Sequence, residues 1–165
     1  MIRKAAATDI PKIREMAQVV FRLTYRDILP PAQMEYMMDM MYSEASLTDQ
    51  MTAQQTVFFI EDGGGYASVR PDGQTQDGRK RYHLEKLYVM PQRQKTGLGR
   101  ELYDKVVEEA RRAAQGRPFR LELNVNRSNP ALGFYEHIGM HKDREGDFPI
   151  GQGYYMNDYI MATDL

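Results

Sequence analysis

The chain has no cysteine in its 165 residues, which excludes disulfide scaffolds, cysteine-rich zinc sites and any route through an acyl-cysteine. Charge of one sign is not in excess either. Lys and Arg total 22 against 23 Asp and Glu, a formal net charge of −1, so no global field draws the molecule to nucleic acid or to an anionic membrane. Long apolar runs are also missing: no stretch approaches the roughly 18 apolar residues that a membrane span needs. The opening Met1-Ile2-Arg3-Lys4-Ala5 lacks the apolar core of a signal peptide, and an intracellular, cytoplasmic protein is expected. With no repeat, low-complexity tract or long linker, residues 1–165 should form one domain, large enough to bury a core without disulfides or a structural metal.

What is present reads as alternating strands and helices. After a short first strand, Thr8 is the expected N-cap of a helix in which Ile10, Ile13, Ala17 and Val20 recur at helical spacing to about Tyr25. Pro30-Pro31 breaks it, and the Met- and Tyr-rich segment from Met34 to Met51 predicts one or two more helices, whose adaptable methionines suit either a core or a substrate cleft. Thr56–Ile60 and Tyr66–Val69 flank Gly63-Gly64-Gly65 as a hairpin. Pro71-Asp72-Gly73 and Asp77-Gly78 predict an exposed connection, followed by a longer strand from Tyr82 to Met90. Leu98, Leu102, Val106, Ala110 and Ala113 form a helical stripe ended by Gly116 and Pro118. Phe119, Leu121, Leu123 and Val125 alternate with Arg120, Glu122, Asn124 and Asn126 as a strand. Asn129-Pro130 opens a short helix to about Ile138, and the tail from Met140 to Leu165 is a final hairpin. The pattern is mixed α/β, with parallel strands on either side of the 98–113 helix.

Between the long strand and that helix lies Gln94-Lys95-Thr96-Gly97-Leu98-Gly99-Arg100. Two glycines allow a tight turn and close approach of a ligand. The helix-start amides and the positive end of the helix dipole make a seat for a pyrophosphate, with Arg93, Lys95 and Arg100 adding charge. A P-loop is excluded because the glycines are one residue apart and followed by Arg100. A dinucleotide fingerprint fails because Leu102 stands where its third glycine or alanine belongs.

The combination resembles the GNAT superfamily of acetyl-CoA-dependent N-acetyltransferases. Gln94, Gly97 and Gly99 fill the superfamily's Gln/Arg-x-x-Gly-x-Gly/Ala signature. The run Asn126-Arg127-Ser128-Asn129-Pro130-Ala131-Leu132-Gly133-Phe134-Tyr135-Glu136-His137-Ile138-Gly139-Met140 matches its second segment, with Met140 in place of the usual aromatic. The ending Gly151-Gln152-Gly153-Tyr154 through Asp158-Tyr159-Ile160-Met161 looks most like small bacterial polyamine-acetyltransferase relatives. The resemblance implies the acyl-CoA N-acyltransferase fold: a central mixed, mostly antiparallel sheet flanked by helices, with a splayed parallel strand pair that binds the cofactor. It further implies that the backbone of Leu87, Tyr88 and Val89 pairs with the pantetheine arm of coenzyme A as an added strand would. The amides of Lys95, Thr96, Gly97, Leu98, Gly99 and Arg100 would hold the pyrophosphate, and Asn129 would bond the arm near its acetyl end.

The expected reaction is direct attack by an amine in a ternary complex. An alkylammonium has a pKa near 10.4, so only about one molecule in a few thousand is nucleophilic at pH 7, a penalty of roughly 4–5 kcal/mol that a base must offset. Strand alternation would place His83, Glu85 and Leu87 on one face. Glu85 is the first candidate base from the resemblance and His83 the second, its ordinary pKa near 6.5 suiting neutral pH; structurally, Glu85 could instead pair with Arg120. Tyr135 matches the superfamily's hydroxyl donor to the departing sulfur. Asn124, Asn126 and Tyr25 are candidate acceptor-binding residues, and a polyamine acceptor would need acids such as Asp27, Glu35 or Asp158 at the cleft. His137 and His141 lack a third ligand at metal spacing, so no metal is expected. The expected partner is a small-molecule or peptide amine; nucleic acid and membrane are not expected, and exposed sheet edges make a homodimer possible. A coenzyme A-binding sensor without turnover is the alternative on the same fold, and a nucleotide-binding protein the third.

Overall fold

The computed structural model describes residues 1–165. Seven strands form one sheet: β1 (Arg3–Lys4), β2 (Val57–Glu61), β3 (Gly65–Gln74), β4 (Lys80–Val89), β5 (Phe119–Asn126), β6 (His141–Gly151) and β7 (Tyr154–Asp164), in the order β1-β2-β3-β4-β5-β7-β6. Every neighbouring pair is antiparallel except β4 and β5. The sheet is therefore mixed and mostly antiparallel, with one parallel pair at its centre. Five helices flank it: α1 (Ile10–Tyr25), α2 (Pro31–Tyr42), α3 (Glu44–Thr52), α4 (Leu98–Ala113) and α5 (Ala131–His137). None is long and apolar enough to cross a membrane.

Side-chain alternation along the strands sends apolar residues to both faces. Phe59, Ala67, Val69, Leu121 and Leu123 meet Leu102, Val106 and Ala110 of α4 on one side, while Phe58, Ile60 and Tyr66 meet α1, α2 and α3 on the other. At about 25 cal/mol per Å² of apolar surface removed from water, these two layers dominate the folding free energy.

Three local expectations are corrected. Thr8 does not cap α1: it lies in a 3-10 turn over Ala7–Asp9, and the cap-like contact is the Ala6 N–H donating to Asp9 Oδ2 at 2.8 Å, with Arg3 clamping the same carboxylate. The Pro71-Asp72-Gly73 segment is no loose connection. β3 runs through it with Pro71 opposite Tyr82 and an irregularity before Gln74 pairs Lys80, a bulge that tolerates proline's missing donor. Asn129 precedes rather than begins the cap of α5, which is Pro130.

Candidate active site

β4 and β5 pair only from Lys80↔Phe119 to His83↔Glu122. Past that point β4 stays bonded to β3 and β5 to β7, so the gap between them opens along Leu84–Val89 and Leu123–Asn126. The gap-facing backbone of Leu87, Tyr88 and Val89 has no strand partner there; Gln94 Nε2 reaches the Val89 carbonyl at 3.2 Å.

A β-bulge shapes the same stretch. Val69 pairs Leu84 and Ser68 pairs Lys86, so Glu85 is the extra residue. Before the bulge, His83 points to the α1–α3 side and Leu84 to the α4 side; after it, Lys86 and Tyr88 take the α1–α3 side and Leu87 and Val89 pack toward α4. The expected common face of His83, Glu85 and Leu87 is thus wrong for Leu87. Uniform alternation ignores the inserted residue, which puts Glu85 and Lys86 on the same side in succession.

At the C-terminal end of β4, a 3-10 turn over Pro91–Arg93 leads into the glycine turn. Lys95 is left-handed at φ 61° and Gly97 at φ 89°, so two reversals bring the chain to α4 with Gly97 as its N-cap. The first helical bond runs from the Glu101 N–H to the Gly97 carbonyl at 3.1 Å. The N–H groups of Leu98, Gly99 and Arg100 consequently project from the helix start with no intrahelical acceptor. Thr96 Oγ1 donates to the Arg93 carbonyl and steadies the turn. Arg93, expected to lend charge here, is paired with Glu61 instead, and Arg100 reaches Asp104 at 3.1 Å. A methyl added to Gly99 would meet the Phe134 ring at 3.5 Å and Val89 Cγ2 at 3.7 Å, both ordinary contacts. Nothing inside the chain demands glycine at that position.

Phe134 and Tyr135 come from α5. Asn129, just ahead of it, accepts from the Ala131 N–H at 2.9 Å and donates through Nδ2 to the Tyr25 hydroxyl at 3.3 Å. Tyr25 in turn shares a hydrogen bond with Tyr88 at 3.2 Å. Tyr135 is buried, and that burial raises its pKa above the usual 10, so the hydroxyl stays protonated at neutral pH and can act as a donor; it has no partner within the protein.

On the α1–α3 side of the gap lies a cleft of about 310 Å³ lined by Phe21, Tyr25, Leu29, Gln33, Met37, Met40, Met41, Arg70, His83, Glu85, Tyr88, Asn124, Asn126, Tyr155, Met156 and Asp158. The candidate bases and all three candidate acceptor residues meet here. His83 is half-buried, and the loss of solvent around it lowers its pKa below 6.5; its Nδ1 is 3.8 Å from Asp72. Glu85 pairs with Arg70, not with Arg120, since Arg120 is taken by Glu122, Asp143 and Asp164. Arg70 also reaches Asp72 at 3.3 Å.

Of the acids named for a cationic acceptor, only Asp158 lines the cleft. Glu35 pairs with Arg22 and Asp27 lies exposed beside Arg26. Arg70 on β3 and Tyr155 and Met156 on β7 escaped the sequence reading, because nothing in local patterning says which strand lies across a gap. The one available signal was Lys86, a charge at an otherwise apolar position after Leu84, which hints at the bulge.

Residues 26–148 match the acetyltransferase (GNAT) domain family. Over 153 residues the chain is 27% identical to the uncharacterised N-acetyltransferase YuaI of Bacillus subtilis, covering 90% of this chain and 84% of that one. The PaiA N-acetyltransferase of Thermoplasma acidophilum, solved in complex with coenzyme A, superimposes with a TM-score of 0.76 at 20% identity, covering 100% of this chain and 98% of that one. Arabidopsis thaliana Naa50, in complex with the bisubstrate analogue CoA-Ac-MVNAL, gives 0.66 at 14% identity, covering 100% and 98%. A splayed parallel pair, a glycine turn ending in open helix-start amides, and a match across three-quarters of the sequence lead to one conclusion: the chain belongs to the GNAT acetyltransferase family and is an acyltransferase.

Proposed function

We propose that the protein transfers an acetyl group from acetyl-coenzyme A to a primary amine, of a small molecule or a peptide, by direct attack in a ternary complex. The observation that carries this reading is the splay of β4 from β5 past His83↔Glu122, which opens one gap between the glycine turn and the cleft.

The residues fit the cosubstrate. The Leu98, Gly99 and Arg100 amides, with those of Lys95 to Gly97, would take the pyrophosphate at the positive end of α4. Gly99, which the protein itself leaves room to replace, would admit a ligand close to the helix. The gap-facing backbone of Leu87, Tyr88 and Val89 would pair with the pantetheine arm, and Asn129 would bond it near the thioester. When bound, acetyl-coenzyme A supplies an activated acyl group with a thiolate leaving group.

The chain's own part is to move protons and hold positions. His83 is the better-placed acceptor of the amine's proton: burial keeps it neutral at pH 7, whereas Glu85 is engaged by Arg70 and serves to orient the acceptor and its water. Tyr135 Oη donates a hydrogen bond to the departing sulfur.

The test is thiol release from acetyl-coenzyme A against a panel of small amines, amino acids and peptides. Amine-dependent release is expected. Tyr135→Phe should lower kcat about 100-fold while leaving coenzyme A affinity unchanged. The acid limb of kcat/KM should fall with an apparent pKa below 6.5, as the lowered His83 value requires, and should disappear in His83→Gln. Tight coenzyme A binding with no release across the panel would replace this reading with that of a sensor.

A further inference from the structure

The cleft holds three charged side chains, and two of them cancel. Arg70 is committed to Glu85 and Asp72. The third, Asp158, is 2% exposed and lies opposite Asn126 on β5 and Gly146 on β6. Its only side-chain partner is a neutral amide: Asn124 Nδ2 donates to Oδ2 at 3.2 Å. No Lys, Arg or His nitrogen comes within salt-bridge distance of its carboxylate. Arg127, the nearest guanidinium, binds the Asp158 backbone carbonyl at 3.4 Å, the Gly146 carbonyl at 3.1 Å and the Asp147 carboxylate at 2.7 Å.

Burying a carboxylate without a countercharge is costly, and proteins keep such groups where a ligand supplies the missing charge. Here the surroundings say which ligand. Polar neutral groups, Asn124, Asn126, Gln33 and His83, share the cleft with an adaptable apolar wall of Phe21, Leu29, Met37, Met40, Met41 and Met156. A cleft that offers one uncompensated negative group beside an apolar wall fits a cation on an apolar stem. It does not fit a zwitterion, because the only guanidinium that could answer a carboxylate is already doubly paired.

Resting on the acetyltransferase reading above, we infer that Asp158 is the docking carboxylate for the acceptor, which enters as an alkylammonium with no carboxylate beside its nitrogen. Asn124 fixes Oδ2 and leaves Oδ1 for the incoming N–H. The residue acts on binding and selection: the ammonium is held by Asp158, and the proton is then lost to the base within the same cleft. Tyr25 lines the same cleft as Asp158 and its hydroxyl bonds Asn129, so the docked ammonium shares the cleft with the residues assigned to the acetyl end.

The experiment separates this inference from the reaction itself. N,N-dimethylbutylamine is charged at pH 7 and gives no stable amide, so its binding to the wild-type protein reports docking without turnover. Calorimetry should show binding to the wild type and at least a 10-fold loss in Asp158→Asn, with coenzyme A affinity unchanged in both. Equal affinity in the two proteins, or no binding to the wild type, overturns the inference. A second measurement needs no variant. Isoamylamine and leucine differ only by the α-carboxylate, and wild-type kcat/KM should favour isoamylamine by more than 10-fold; parity, or a preference for leucine, overturns it. If no amine in the panel is acetylated yet dimethylbutylamine binds through Asp158, the acetyltransfer reading fails and the docking site stands.

Discussion

The two faces of the sheet are built from different materials. Against α4 the buried residues are mostly aliphatic and small: Leu98, Leu102, Val106, Ala110 and Ala114 meet Leu121, Leu123 and Val125. Against α1–α3 nearly half of them carry sulfur or a phenol, with Met16, Met34, Met37 and Met38 packed among Tyr25, Tyr42 and Tyr66. Branched aliphatics fill space in one way, whereas thioethers adapt and buried phenols must find partners. The first face fixes the helix whose N-terminus forms the glycine turn. The second shapes the wall of the cleft proposed to take the acceptor. An aliphatic layer thus supports the proposed cosubstrate turn, and an adaptable one supports the proposed acceptor cleft.

The largest expected effect tests that contrast directly. Leu102, on the sheet-facing side of α4, is fully buried, and Leu102→Ala should cost about 4 kcal/mol, the lost transfer energy plus an uncollapsed cavity. Met38, 4% exposed on the other face, should tolerate Met38→Leu at a cost below about 1.5 kcal/mol. Urea denaturation of both variants measures the difference, and comparable losses would show that the two layers are equally rigid.

The next effect concerns Lys86, a cation buried in the Met/Tyr layer. Lys86 sits between the Tyr42 and Phe58 rings, 5.5 and 5.4 Å from their centres, and donates to Gln50 Oε1 at 2.6 Å. Burial lowers its pKa from 10.5 to about 8. The unfolded chain binds this proton more tightly than the folded one, so the residue destabilises the fold fully below pH 8 and progressively less as pH rises to 10.5. Lys86→Met should therefore stabilise the protein at pH 7 by about 2 kcal/mol, once the unpaired Gln50 is discounted from the linkage term. The gain should fade toward pH 10.5. A gain independent of pH would mean that the ammonium is not penalised by its surroundings.

The same division governs what could be read from the sequence. The glycine turn into α4 was legible because Gly97, Gly99 and a helix start leave marks at fixed spacing, and the strand–helix–strand frame because Leu98, Leu102 and Val106 keep a strict period. The bulge at Glu85 was not, since Tyr82-His83-Leu84-Glu85-Lys86-Leu87 alternates plausibly with or without an inserted residue. Only pairing with Ser68 and Val69 reveals it. Likewise Asp158 stands level with Asp27 and Glu35 as a candidate acid in the sequence, and only the placing of β7 beside β5 and the pairing of the other charges single it out.

The smallest expected effect probes whether the phenols of the second layer act as a pair. Tyr42 and Tyr66 are both fully buried and share one hydrogen bond of 2.7 Å. Removing one hydroxyl leaves the other without a partner in a dry site, and an unmade bond costs more than a made one contributes. Tyr42→Phe should thus destabilise by about 1 kcal/mol. Adding Tyr66→Phe to it should restore most of that loss rather than double it, because the ring stacking, edge-on at 6.0 Å, survives in the double variant. Chemical denaturation of the full double-mutant cycle decides the matter: additive losses would mean that each hydroxyl is satisfied independently, and the second layer would then owe its order to packing alone, as the first does.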